Sequence, residues 1–265
     1  MTEPEHIAPL RQTILELAVR GKLTHGESTD EPASALLARI QAEKAKAGKA
    51  ESLPPVKTSE QPFDLPEEWE WVRFSELGTL ERGKSKHRPR NAPFLYENGK
   101  YPFVQTGDVA QSGGHIKKYS TMYGEQGLAQ SRMWEKGTLC ITIAANIAET
   151  GILEFDACFP DSVVGFVPHP LIGNVDYFQY VIKVAKSQLE SYAPATAQKN
   201  INLGILQKLL IPLPPGGEIK RIVAKVEQLL GRCDALEAKL RSAREERVRL
   251  TAAVLAGVGN SSGVK

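Results

Sequence analysis

The sequence predicts a mixed α/β (α+β) globule that runs into one long coiled-coil-type helix, and three observations predict it. Between Trp69 and Leu210, short apolar runs (EWVRF, KYPFVQT, GTLCITIAANIA, SVVGFVP) are separated by Gly and Pro, the texture of strands and turns. Within that region Phe178, Val181, Ile182, Ala185 and Leu189 fall at helical spacing, which predicts a helix over Asp176 to Ser191. From Ile219 to Val254 the apolar residues alternate three and four apart, with Arg247 the one polar member, and that is a coiled-coil seam.

In chain order, the first element is LRQTILELAVRGKL, where Leu10, Ile14 and Leu17 mark an amphipathic helix that Gly21 stops. Asp30-Glu31-Pro32 opens a second helix with Ala33, Leu36, Leu37 and Ile40 on its apolar face. SLPPVKTSEQPFDLP is too rich in proline for regular structure and reads as a boundary. The expected organisation is an N-terminal helical segment (1–51), a Pro-rich linker (52–66), a globular domain (67–215), a long spacer helix (216–258) and a disordered tail (259–265). The run from Thr138 to Ala148, apolar or small throughout, reads as one strand buried on both faces. The helix from Glu218 to Leu255 would be about 55 Å long, too long to pack on one small domain. Its seam, with Ile222, Val226, Leu229, Cys233, Leu236, Leu240 and Leu250, is therefore expected to meet a second chain.

Composition excludes several classes. The chain has 265 residues, 42% of them hydrophobic and 24% charged, enough for a sizeable core. A net charge of +2 rules out a general polycation, so affinity for an anionic polymer must come from charge gathered on one face. The three cysteines, Cys140, Cys158 and Cys233, lack C-x-x-C spacing and fit neither a disulfide framework nor a zinc site. With no membrane-spanning apolar run and no signal-peptide pattern, a cytoplasmic protein is expected.

GTLERGKSKHRPR, Gly78 to Arg90, matches the phosphate-loop spacing G-x-x-x-x-G-K-[ST]. In a phosphate loop the lysine and serine open a helix whose N-terminus faces the phosphate. Here Pro89 and Pro93 follow within eight residues of Ser85, which disfavours that helix. A nucleotide hydrolase using Gly78 to Ser85 is the enzyme alternative, and a coiled-coil scaffold without sequence preference is a third. What remains is a cationic loop: Arg82, Lys84, Lys86, His87, Arg88 and Arg90, with Ser85 among them. Between Glu81 and Lys118 there are eight lysines and arginines against three carboxylates. Such a cluster suits a polyanion: phosphate contacts give affinity and release counterions, while arginine forks can read guanine edges in the major groove. A solvated basic loop is the plain alternative.

Other candidates are weaker. Gln105 and Thr106 could meet bases or phosphates, and Gly107-Asp108 reads equally as a turn. Lys117 and Lys118 would extend the basic face. Thr196, Gln198, Lys199 and Asn200 form a polar cluster able to pair with adenine and phosphate, while Asn202 reads as DNA contact or helix cap. Asn146, closing the expected buried strand, is left out of the site. Trp69, Trp71 and Trp134 read as packing anchors, and His87 and His115 lack partners at metal spacing, so no metal is assigned.

The ordered landmarks LPEEWEWVRFSELG, GKSKHRPRN, KYPFVQTGDV, GLAQSRMWEKGTLCITIAANIAETGIL, FPDSVVGFVP and ATAQKNINLGILQKLLIPLPP, leading into a long helix, resemble the DNA specificity subunit of type I restriction–modification enzymes over nearly the whole chain. The resemblance implies a non-catalytic target-recognition domain that reads one half of a bipartite duplex and docks modification and restriction subunits. S-adenosylmethionine, ATP and magnesium would then belong to those partners, and no cofactor is expected on this chain. Family members usually carry two recognition domains and two long helices. This chain has one of each, so a half-subunit or C-terminal portion is expected, pairing with itself or with a separate half. PPGGEIKRI also departs from the usual pattern, and Gly216-Gly217 is expected to loosen the angle between domain and helix.

Overall fold

The computed structural model describes residues 7–48, 53–193 and 200–261, with side chains as far as 253. Two helices lead, α1 (Ile7–Val19) and α2 (Ala33–Lys46). On α2 the expected face is buried through Ala33, Leu36 and Ile40. On α1 the buried stripe is Ile7, Ile14, Leu15, Ala18 and Val19, while Leu10 of the expected seam faces solvent. The Pro-rich stretch after α2 holds a short 3-10 turn at Thr58–Glu60 and is fastened down, since Trp71 Nε1 donates to Phe63 O at 3.2 Å and the two rings meet edge to face.

The globule begins with β1 (Glu70–Arg73), β2 (Gly78–Arg82), β3 (Tyr101–Phe103), α3 (Thr106–Ala110), β4 (His115–Ile116), β5 (Thr121–Tyr123), α4 (Glu125–Ala129) and β6 (Met133–Trp134). It continues through β7 (Leu139–Thr142), β8 (Thr150–Leu153), β9 (Ala157–Cys158), β10 (Val163–Pro168), α5 (Asp176–Ser191), α6 (Leu203–Lys208) and β11 (Leu210–Leu213). The strands form a five-stranded sheet in the order β2-β10-β7-β8-β4, a four-stranded sheet β5-β3-β9-β6, and a two-stranded clasp β1-β11 that closes the globule before the last helix. Short strands broken by turns and the helix over Asp176 to Ser191 are as the sequence texture predicts.

The run Thr138 to Ala148 is not a single buried strand: β7 ends at Thr142 and an irregular loop follows, with Ala145 at φ 64° and Ala148 at φ 59°. The buried Thr142 knots this loop. Its hydroxyl donates to Asn146 O and accepts from Glu149 N at 3.0 Å, and its carbonyl accepts from Ala148 N at 2.8 Å. Asn146 is consequently exposed at the loop, not sealed at a strand end.

The main core joins α1, α2, the five-stranded sheet, α5 and the last helix. Phe74, Phe166 and Phe178 meet at its centre with ring centroids 4.3 and 4.9 Å apart. A smaller core under the four-stranded sheet includes Val104, Trp134, Phe159 and Val163, with Trp134 stacked on Phe159 at 4.9 Å.

The last helix, α7 (Gly216–Ser261), is 46 residues long, about 70 Å, and continues past 258 into the stretch expected to be a disordered tail, whose residues 262–265 lie outside the described chain. Its seam divides in two. Ile219, Ile222, Val223, Val226 and Cys233 are buried in the core of this chain, where α1 and α5 pack on the helix, and Arg11 of α1 pairs with Asp234 at 2.5 Å and Glu237 at 2.8 Å. Ile222, Val226 and Cys233 therefore do not supply a face for a second chain, because α1 takes the place that the sequence reading gave to a partner. Leu229 and Leu240 are partly buried, Leu236 is exposed, and residues 241–253, Leu250 included, are exposed throughout. Among the described residues no helix is long and apolar enough to cross a membrane.

Candidate nucleic-acid interface

The phosphate-loop spacing is used for something else. Gly78–Arg82 is strand β2, paired antiparallel with β10 from Gly78↔Pro168 to Arg82↔Val164. The chain continues along the same neighbours: Gly83 N donates to Val163 O at 2.8 Å and Lys84 N to Phe159 O at 3.0 Å. A Cβ on Gly83 would lie 2.3 Å from Phe159 O and 2.4 Å from Pro160 O, so the glycine serves close backbone approach to a strand end, not to a phosphate. Ser85 is buried, with its hydroxyl 3.4 Å from that of Tyr123, and is removed from the candidate contact set. No helix opens here, and the next element is a 3-10 turn at Pro93–Leu95.

On either side of Ser85 the loop is held by side chains from the α4–β6 connection. Ser131 Oγ donates to Lys84 O at 2.6 Å, and His87 N donates to Gln130 Oε1 at 2.9 Å. The half-buried His87 ring meets Phe94 edge to face, and Tyr96 OH donates to Arg90 O at 2.7 Å. Arg88 Nη1 turns back to donate to Ser85 O at 2.6 Å and His87 O at 2.8 Å. The backbone is thereby fixed while Arg82, Lys84, Lys86, Arg88 and Arg90 remain exposed.

Three of those cations converge on one residue. Arg82 Nε donates to the main-chain oxygen of Asp161 at 2.7 Å, Arg88 Nη2 reaches its Oδ2 at 3.5 Å, and Arg90 Nη2 bonds its Oδ1. No spacing rule relates Asp161 to arginines more than seventy positions earlier, so the sequence reading did not find it. Arg132 lies over the Trp134 ring at 4.1 Å and pairs with Glu81, contacts between distant positions that no local spacing reveals.

Topology brings most of the other described candidates to the same neighbourhood. β3 and β9 run parallel, with Phe103↔Cys158 in register, so Gln105 and Thr106 leave one strand where Pro160 and Asp161 leave the other. Thr121 pairs with Phe103, so the segment carrying the exposed Lys117 and Lys118 enters β5 at that end. Gln105 Nε2 donates to Thr121 Oγ1 at 3.0 Å, and Ser120 Oγ to Asp108 Oδ2 at 3.1 Å, which fastens the α3 start to that segment. Asp108 also accepts from Gln105 N at 2.8 Å, so Gln105-Thr106-Gly107-Asp108 is a helix start rather than a bare turn.

The five-stranded sheet adds one more candidate. Ile143 N donates to Ser162 O at 3.0 Å, beside Asp161, and Ile201 N donates to Ile143 O at 2.9 Å. The exposed Asn200 bridges Ala144 in the same strip. Thr196, Gln198 and Lys199 lie outside the described residues. Asn202 is a helix cap, its Oδ1 accepting from Ile205 N at 3.0 Å. Burial raises the thiol pKa of Cys140 and of Cys158, which leaves both as inert core residues.

The chain is similar to known proteins over nearly its whole length. The chain is 27% identical to the Type I restriction enzyme EcoAI specificity subunit of Escherichia coli, over 98% of this chain and 45% of that protein. It is 27% identical to the EcoEI specificity subunit of the same organism, over 96% of this chain and 45% of that protein. The chain thus spans about half the length of these curated relatives. Its fold is shared with a chain from a solved type I R-M system (TM-score 0.58, 20% identity, 95% of this chain and 55% of that one). It is shared also with the HsdS subunit from Thermoanaerobacter tengcongensis (TM-score 0.51, 20% identity, 91% of this chain and 52% of that one). Residues 66–244, from the end of the Pro-rich stretch to the exposed half of α7, match the Type I restriction modification DNA specificity domain, and the chain belongs to that family.

Proposed function

We propose that this chain reads one half of a bipartite duplex target as the DNA-specificity component of a type I restriction–modification assembly. The observation that carries this reading is the fixed, outward-facing loop of Arg82, Lys84, Lys86, Arg88 and Arg90 at the sheet end where Gln105, Thr106, Lys117, Lys118 and Asn200 also emerge. Cations on a fixed backbone neutralise phosphates and release counterions, and arginine forks held in place can address base edges. Methyl transfer from S-adenosylmethionine and ATP-driven translocation and cleavage with magnesium belong, in this proposal, to modification and restriction subunits docked on the chain. The assembly would act on DNA in the cytoplasm.

The test is to map adenine methylation in host cells with and without the gene. Loss of methylation at one bipartite sequence on deletion is the expected result. An unchanged methylation map would overturn the reading, and so would assembly of the other subunits without any sequence preference, the outcome a plain scaffold predicts.

The exposed half of α7 supports pairing with a second half. Leu236 and Leu250 are 39% and 60% exposed on a helix whose first half is covered by its own chain. Glutamate at both positions is expected to convert a dimeric species to monomer in size-exclusion chromatography with light scattering. A wild-type chain that is strictly monomeric at micromolar concentration would remove self-association.

A further inference from the structure

We propose that Asp161 is a positioning residue for sequence discrimination, holding Arg82, Arg88 and Arg90 in fixed orientation and screening them from non-specific phosphate contact. The inference rests on the DNA-reading function proposed above. Asp161 sits on the turn between β9 and β10, and that turn is itself fixed: Val163 N donates to Pro160 O at 3.0 Å, Ile143 N to Ser162 O at 3.0 Å, and Lys84 N to Phe159 O at 3.0 Å. From this base the residue offers three oxygens to three guanidinium groups, its main-chain oxygen to Arg82 and its two carboxylate oxygens to Arg88 and Arg90.

An isolated surface ion pair of this exposure contributes little to folding. The geometry matters for another reason. A free arginine carries several rotatable bonds and will follow any phosphate within reach, whereas one whose fork is anchored presents its remaining donors in a set direction. A carboxylate among three cations also lowers the local charge by one and repels an approaching phosphate, so binding is favoured where base contacts add to it. Removing that carboxylate should strengthen binding to arbitrary DNA and weaken discrimination together. A residue that merely supported the fold would weaken both.

The experiment uses the full chain as purified from its host with the subunits that accompany it, in wild-type, Asp161→Asn and Asp161→Glu forms. A pool of randomised duplexes is selected on the wild type, and one enriched duplex and its scrambled counterpart are then titrated against all three. The expected result is that Asp161→Asn binds the scrambled duplex more tightly and that its ratio of specific to scrambled affinity falls about tenfold. Asp161→Glu is expected to recover part of that ratio, with all three melting alike. An unchanged ratio, or a parallel loss of both affinities, overturns the inference while leaving the DNA-reading function standing. A wild type that enriches no sequence overturns both.

Discussion

Replacing Arg88 and Arg90 together by alanine is expected to weaken duplex binding about 10- to 100-fold at physiological salt and to lower the slope of log K against log salt by about two. The slope follows from counterion release, in which each phosphate neutralised on B-DNA contributes roughly 0.9. These two side chains are the ones to remove because they are 55% and 45% exposed and lie on a backbone fixed by Gln130 and Tyr96. The double variant should melt with the wild type, since solvent-exposed pairs such as those with Asp161 contribute about 0–1 kcal/mol. Salt titration of a fluorescent duplex, paired with a melt, separates the outcomes. If affinity and slope both stay at the wild-type values, the loop is not the contact surface.

What the sequence revealed, and what it hid, follows from the range over which each feature is determined. The helix Asp176–Ser191 and the stripe Ala33, Leu36, Ile40 were legible because a helical face is set by residues three and four apart. The run Thr138 to Ala148 misled because hydrophobicity marks burial and not backbone direction. One hydroxyl, Thr142 Oγ1, bonding to Asn146 O and Glu149 N, turns its second half into a loop. The seam of α7 was legible as a face, but periodicity carries no address, and α1, more than two hundred residues away in sequence, covers its first half.

The candidate site divides in the same way. Charge clustering from Arg82 to Arg90 is local and was visible. The burial of Ser85 depends on Tyr123, and the convergence of Arg82, Arg88 and Arg90 depends on Asp161; both are products of strand pairing across the globule.

Replacing Glu218 by alanine is expected to cost about 2–4 kcal/mol of stability, roughly 5–15 °C in melting temperature. Glu218 lies in the first turn of α7, where a carboxylate complements the helix dipole, yet it is only 2% exposed. It accepts from Trp69 Nε1 at 3.0 Å and from Thr24 Oγ1 at 2.8 Å, tying the helix to the start of the globule and to the α1–α2 connection. Alanine would leave the buried indole N–H without an acceptor, while Glu218→Gln keeps one oxygen in place and should lose less. The joint is tight where a loose one was expected. A Cβ on Gly217 would lie 2.2 Å from Asp30 Oδ1, so the glycine makes room for the Asp30–Arg221 pair. Hydrogen bonds from Arg221 hold the Asp30 carboxyl below its usual range. The stability that pair contributes is present above the ordinary carboxylate pKa of about 4 and is lost as pH falls through the lowered value. Melts recorded from neutral pH downward on wild type, Glu218→Ala and Glu218→Gln check the ranking. If the alanine variant melts with the wild type, α7 is held by its apolar face alone and the angle between helix and globule is not set at this joint.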